Sequence, residues 1–306
     1  MINDLKVSIL IPTLNAGKDW IKVLESIDQQ VCNFHNKIII DSGSNDGTVD
    51  LAKQHGFKVT VINKKDFNHG KTRQQLVDLS NDSDICVFLT QDAILASPDS
   101  VRNIVKIFDN PEVGMAYGRQ LPHLNAKPLE IHARLFNYPS ISDVLSLDDL
   151  KRFGFKIFFS SDSFAAYRKS VLDNVGGFPL DSIMGEDAIV AAKMLIDGFK
   201  KAYVADAAVY HSHSYTLNEE FKRYFDTRVF HEQNKWLIEK FGKPTGEGIK
   251  FLKSELKYVF KNDFKSILKS VTSLGAKWLG YKFGRWYKKM PPDMLKKMSM
   301  HKSYWE

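Results

Sequence analysis

Four small sets of residues carry the chemical potential of this sequence. Asp92 follows the apolar run Ile85 to Leu89, where a buried carboxylate is costly unless it binds a cation or accepts hydrogen bonds. A hard divalent ion holding a diphosphate needs few protein oxygens, because phosphate and water supply the rest. Glu186 and Asp187 stand side by side after Gly185 at a helix start. They fit a general base with a modulating neighbour, and equally a helix cap with a dipole partner. A helix N-terminus lowers a carboxylate pKa and a second carboxylate raises it, so the balance stays open. His211 and His213 sit two apart at a strand end and, if extended, point to opposite faces, so one of them is expected to reach the crevice. A neutral imidazole there would complete a metal site or serve as a structural hydrogen-bonder. His69, Lys71 and Arg73 open a helix, a setting that attracts phosphate.

The elements that must position these groups are legible as an alternation. Lys6 to Pro12 reads as a strand and Lys18 to Gln30 as a helix. Lys37 to Ile40, Phe57 to Ile62 and Ile85 to Leu89 read as further strands, with helices from Val49 to His55 and Lys71 to Ser80 between them. Ser170 to Val175 and Ala188 to Asp197 read as helices closed by glycines, and Lys201 to Val209 as a returning strand. Such alternation implies an α/β fold with a mostly parallel central sheet and helices on both faces. Ligands in these sheets gather at the carboxyl ends of the strands, here marked by Thr13 and Asn15, Asp41, and Asp92. Pro122 to Phe159 is aromatic and without a clean period, either a connecting region or an acceptor-binding one.

Composition narrows the classes. The 306 residues are 43% hydrophobic and 26% charged, which excludes collagen and wholesale disorder, and two cysteines exclude a disulfide scaffold. Cys32 and Cys86 have no metal or redox spacing, and Met1 to Leu10 has no signal-peptide character, so a reducing, cytoplasmic setting is expected. From Lys250 to Glu306 there are 14 Lys and Arg against four carboxylates, a local +10 within a whole-chain +7. The body is therefore mildly acidic, and nucleic acid is not its expected partner.

The ordered series IPTLN (Ile11 to Asn15), IIIDSGSNDGT (Ile38 to Thr48), FLTQDA (Phe88 to Ala93) and GED (Gly185 to Asp187) resembles the inverting glycosyltransferases of family 2. The resemblance covers about residues 5 to 240 and implies a GT-A fold. FNHGKTR (Phe67 to Arg73) and VYHSHSYTLNEEFKRYFD (Val209 to Asp226) look like its rhamnosyltransferase subgroup of bacterial surface polysaccharide assembly. It implies a nucleotide-sugar donor, dTDP-rhamnose, and a lipid-linked O-antigen or capsule acceptor. Pro12, Thr13, Asn15, Asp41 and Gln91 would contact the nucleotide, with His69, Lys71 and Arg73 on the diphosphate or the deoxysugar. The family's DxD motif falls on Thr90, Gln91 and Asp92, so its first Asp is missing. Asp92 with His211 would then hold Mg²⁺ or Mn²⁺. Asp187 matches the catalytic base, with Glu186 beside it. Residues 1–245 would form the catalytic domain, with a nucleotide-sugar half to about 120 and an acceptor half beyond it.

Residues 246–306 form a basic tail. Ile249, Leu252, Leu256, Val259, Phe260, Phe264, Ile267, Leu268 and Val271 recur at helical spacing, and Lys253, Lys257, Lys261, Lys265 and Lys269 recur every fourth residue beside them. A lysine at every turn argues against a membrane span. An amphipathic helix lying on an anionic membrane surface through 249–290 is expected, on the inner face of the cytoplasmic membrane, with Trp278, Tyr281, Trp286 and Tyr287 as anchors. The alternative is packing on the catalytic domain or, in a homo-oligomer, on a second copy. Two other classes compete. A nucleotidyltransferase would carry a Gly-rich loop after the first strand, where Pro12 to Lys18 has one Gly, and a non-catalytic sugar-binding paralogue is kept open by Thr90.

Overall fold

The computed structural model describes residues 5–244 and 246–306. Its strands are β1 (Val7–Thr13), β2 (Phe34–Asp41), β3 (Lys58–Val61), β4 (Ile85–Leu89), β5 (Ile94–Leu95), β6 (Val113–Leu121), β7 (Asp143–Leu145), β8 (Phe164–Arg168) and β9 (Lys200–Tyr210). The first helices are α1 (Trp20–Asp28), α2 (Thr48–Gln54), α3 (His69–Leu79), α4 (Ser100–Lys106), α5 (Pro128–Asn137), α6 (Leu150–Phe153), α7 (Lys169–Asn174) and α8 (Glu186–Ile196). The chain ends in α9 (Leu217–Gln233), α10 (Lys235–Phe241), α11 (Glu247–Asn262), α12 (Ile267–Gly284) and α13 (Pro292–Met298).

One sheet runs in the order β3-β2-β1-β4-β8-β6-β9-β5, with β7 paired to β9. Its first half is parallel, and β8 enters antiparallel between β4 and β6. That inversion matters for the site. Because β8 runs backwards, Leu89 at the end of β4 lies opposite Phe164 at the start of β8. The residues just before β8 therefore share an edge with the carboxyl ends of β1, β2, β4 and β6. β4 is wholly buried, as its unbroken ICVFL run requires of a strand covered on both faces. Pro12 is tolerated in central β1 because the pairing with β4 stops at Leu10, so its missing N–H costs no ladder bond there.

The sheet is covered by two apolar layers. Trp20, Val23, Leu24 and Ile27 of α1 pack with Ile9 and Ile11 on one side, and Leu76 and Val77 of α3 pack with Leu10 and Phe88 on the other.

The segment 122–159 is more ordered than its lack of period suggested. It contains α5, begun by Pro128 at the first helical position, where a missing N–H is harmless, and the short strand β7. The tail is also more tightly bound than expected. α12 lies along α9 so closely that a Cβ on Gly280 would stand 2.1 Å from Phe221 O, and one on Gly284 2.6 Å from Phe225 O. Val259 of the expected apolar stripe is buried, while Ile249, Phe260, Phe264, Leu268 and Val271 are more than half exposed. One face of the tail thus packs on the body and another faces solvent. Among the described residues no helix is long and apolar enough to cross a membrane.

Candidate active site

The loops after β1 and β2 are stitched together by the residues expected to touch a nucleoside. Thr13 Oγ1 and Ser44 Oγ donate to Asp41 Oδ2 at 2.7 and 2.6 Å, while the backbone N–H groups of Gly43 and Ser44 donate to its Oδ1. Asn15, with φ of 45°, receives the Asn45 N–H on Oδ1 and donates its own N–H to Ser44 Oγ. Gln91 closes the same edge by accepting the Leu14 N–H and donating to the Leu14 carbonyl. Thr13, Asp41 and Gln91 thus stand together at the strand ends where the nucleotide is expected. Thr13 and Asp41 are 2% and 0% exposed, and four donors fix the Asp41 carboxylate in place. A cavity of about 710 Å³ opens beside them, lined by Ser42, Gly43, Ile62, Asn63, Lys71 and Gln75 among others. Lys71 faces this open space.

Arg73 does not. Its side chain is 6% exposed, with Nε 2.8 Å from Asp162 Oδ2 and Nη1 2.6 Å from Glu186 Oε1. A guanidinium shared by two buried carboxylates is no longer available to a phosphate. His69 is turned the same way, edge-on to the Phe67 and His301 rings and 3.5 Å from Arg73. The two residues form a floor beneath the start of α8.

On that floor stands Asp187. Gly185, at φ 73°, turns the chain into α8, and the Phe230 ring leaves no room there for a Cβ. Glu186 points inward, 6% exposed and paired with Arg73, whereas Asp187 keeps partial exposure. Asp187 Oδ1 accepts the Ala188 N–H at 2.7 Å and its Oδ2 the Asp162 N–H at 3.3 Å. The question left open by the sequence is answered by direction. Burial first, then the neighbouring Asp162 and Glu186, push the Asp187 carboxyl well above the usual carboxylate range, against the pull of the helix start. Burial also raises Asp162 to about 6, opposed by Arg73 and by the Tyr167 hydroxyl, which donates to its Oδ1 at 2.6 Å.

Asp92 forms a second cluster. His211 Nε2 lies 3.4 Å from its Oδ1 and His213 Nε2 3.6 Å from its Oδ2. The expectation that only one histidine reaches the crevice fails because β9 ends at Tyr210, and alternation does not govern the chain beyond it. His211 Nδ1 is 3.0 Å from Gln120 Oε1, a contact that orients the ring and turns its Nε2 toward Asp92. One carboxylate and two imidazoles, with ligand atoms within 4.8 Å of one another, fit a divalent ion of borderline character. Burial and the adjacent His211 press His213 down to about 4, which keeps its imidazole neutral.

The two clusters are physically joined. Gln120, which orients His211, donates to Ser161 Oγ at 2.8 Å, and the next residue, Asp162, meets both Asp187 and Arg73. Asp162 and Gln120 were not singled out from sequence, where the only local signal was an Asp among serines before FAAYR, and His213 was named only as the alternative to His211.

Residues 8–176 match the family described as Glycosyl transferase family 2. The chain belongs to that family. Over 98% of its length, and 96% of the relative's, it is 47% identical to the O-antigen chain rhamnosyltransferase RfbN of Salmonella typhimurium. It is 43% identical to the O-antigen chain rhamnosyltransferase WbaN of Salmonella anatum, over 97% and 95% of the two lengths. Among solved structures, the family-2-like α/β architecture recurs in the mannosyltransferase PcManGT from Pyrobaculum calidifontis, solved with GDP-Man and Mn2+. That likeness has a TM-score of 0.60 at 17% identity, covering 96% of this chain and 85% of the other, and shows a GT-A fold.

Proposed function

We propose that this family 2 enzyme transfers L-rhamnose from dTDP-rhamnose to a lipid-linked O-antigen acceptor with inversion at the anomeric carbon. The observation that carries the reading is the near full-length identity of 47% and 43% to two O-antigen chain rhamnosyltransferases. The site supports the chemistry. Asp187, alone among the buried acids, combines partial exposure with a carboxyl raised toward the working pH, which suits a general base. It takes the proton of an acceptor hydroxyl as that oxygen bonds to the anomeric carbon. The bond from that carbon to the diphosphate oxygen breaks, and its electron pair leaves with the nucleoside diphosphate. Glu186 and Asp162, locked by Arg73, hold Asp187 in place and raise its basicity.

Asp92, His211 and His213 would hold Mg²⁺ or Mn²⁺, which when bound neutralises charge on the leaving diphosphate. The cavity beside Gly43 and Lys71 offers the nucleoside its place at the strand ends. Against the non-catalytic alternative stand the intact Asp92, Glu186 and Asp187. Exposed Phe260, Phe264 and Leu268, flanked by Lys257, Lys261 and Lys265, support peripheral attachment to an anionic inner-face membrane.

Calorimetric titration of dTDP-rhamnose, UDP-glucose, UDP-galactose and GDP-mannose, each with and without Mg²⁺ or Mn²⁺, tests the donor. Metal-enhanced preference for dTDP-rhamnose is expected. A preference for another nucleotide sugar overturns the rhamnosyl assignment.

A further inference from the structure

A second cavity, of about 310 Å³, opens beside the Asp92 cluster and shares no lining residue with the one beside Gly43 and Lys71. Arg134 of α5, Arg223 of α9, Phe251 of α11 and Lys277 of α12 line it, and His213 connects it to Asp92. Its charges are unevenly satisfied. Lys156 pairs with Glu247 at 2.7 Å and Lys277 with Glu220 at 3.4 Å. Arg134 and Arg223 have no carboxylate within ion-pair distance among the described residues, and the Arg134 Nε is buried without a hydrogen-bond partner. Both guanidiniums rest on aromatic rings instead. Arg134 lies 5.8 Å from the Tyr138 ring centre and Arg223 5.1 Å from that of Tyr215, to whose hydroxyl it donates at 2.7 Å. Arg134 also senses Arg223, which together with burial lowers its affinity for its own proton.

Glu130, Glu220, Glu247 and Glu255 also line the cavity, but none of them ion-pairs with either guanidinium, so the two like charges held together invite an anion, and forked guanidiniums suit phosphate oxygens. The position of the cavity selects its source. Its outer wall is made by α11 and α12, which together with the turn between them carry exposed Phe260, Phe264, Leu268 and Val271. We propose that Arg134 and Arg223 grip the phosphate or diphosphate of the lipid-linked acceptor, whose hydrocarbon leaves along the α11–α12 surface while its sugar reaches Asp187. The inference rests on the reading that the acceptor is lipid-linked, and names the groups that recognise it.

The probe is farnesyl diphosphate, titrated into the full-length protein without donor or metal, alongside inorganic pyrophosphate and dTDP with Mn²⁺. Farnesyl diphosphate should bind more tightly than pyrophosphate. Arg134→Gln and Arg223→Gln should each weaken it at least tenfold and leave dTDP affinity unchanged. Arg223 is exposed, so its replacement tests the site even if the Arg134 variant misfolds. Unchanged farnesyl diphosphate binding in the Arg223 variant overturns the proposal. Equal binding of pyrophosphate points to a free-phosphate site, and loss of dTDP affinity in parallel assigns both arginines to the donor; either result also overturns it. Because no donor is present in the main arm, a different sugar preference in the calorimetric series leaves this outcome standing.

Discussion

Asp187 and Asp92 were both visible in the sequence as acids at a helix start and a strand end, and the structure gives each its surroundings. Asp187→Asn should remove turnover by about 10²- to 10⁴-fold, the usual contribution of a positioned base, with the donor dissociation constant nearly unchanged. Full retained turnover would refute the assignment. The pH profile follows from the direction of its shift. A base held protonated above the usual carboxylate range becomes active only as pH rises, so kcat/KM should climb along a limb displaced well above pH 4. Asp162→Asn removes a like charge and should move that limb to lower pH; a profile that stays in place would deny the coupling. These are properties of an interacting set, so the limb belongs to the acids together. Asp162 itself was illegible in the sequence. It faces Asp187 only because antiparallel β8 brings its start to the edge where β4 ends, and no local spacing announces that inversion.

At the scale of elements, the regular alternation as far as β4 was readable because each strand is a short apolar run and each helix carries one apolar face. The reading weakened after β4. Helix α5 and strands β6, β7 and β8 carry polar and aromatic residues whose burial is decided by partners far along the chain, such as Tyr203 Oη donating to Pro139 O. The sequence leaves the tail between a membrane-surface helix and packing on the catalytic domain, because its glycines have no meaning until α9 is beside them. Gly280→Ala tests that packing. The added methyl meets the Phe221 carbonyl at 2.1 Å, and overpacking of about 1–3 kcal/mol should outweigh the roughly 1 kcal/mol gained in helix propensity. A lowered Tm is expected, and an unchanged or raised one would show that α12 does not depend on this contact. Asp226, buried under Met300 with its Oδ2 accepting that backbone N–H at 2.7 Å, ties the last residues to α9 in the same way.

The whole molecule combines an acidic catalytic body with a basic helical surface that packs on it and still exposes aromatic residues. The composition had already separated these halves by charge, but only the fold shows that the tail's exposed face and the Arg134 cavity share helices. Binding to vesicles containing anionic lipid should fall at least tenfold in a Phe260→Ser, Phe264→Ser double variant and weaken with salt; undiminished binding would remove the membrane role. The most direct test of the central claim is product formation from dTDP-rhamnose and a lipid-linked O-antigen acceptor, followed by mass spectrometry of the lipid-bound oligosaccharide. One deoxyhexose added per acceptor by the intact enzyme, at a rate reduced by about 10²-fold or more in Asp187→Asn, is the predicted result. A product bearing another sugar, or equal transfer by the Asp187 variant, would contradict the account.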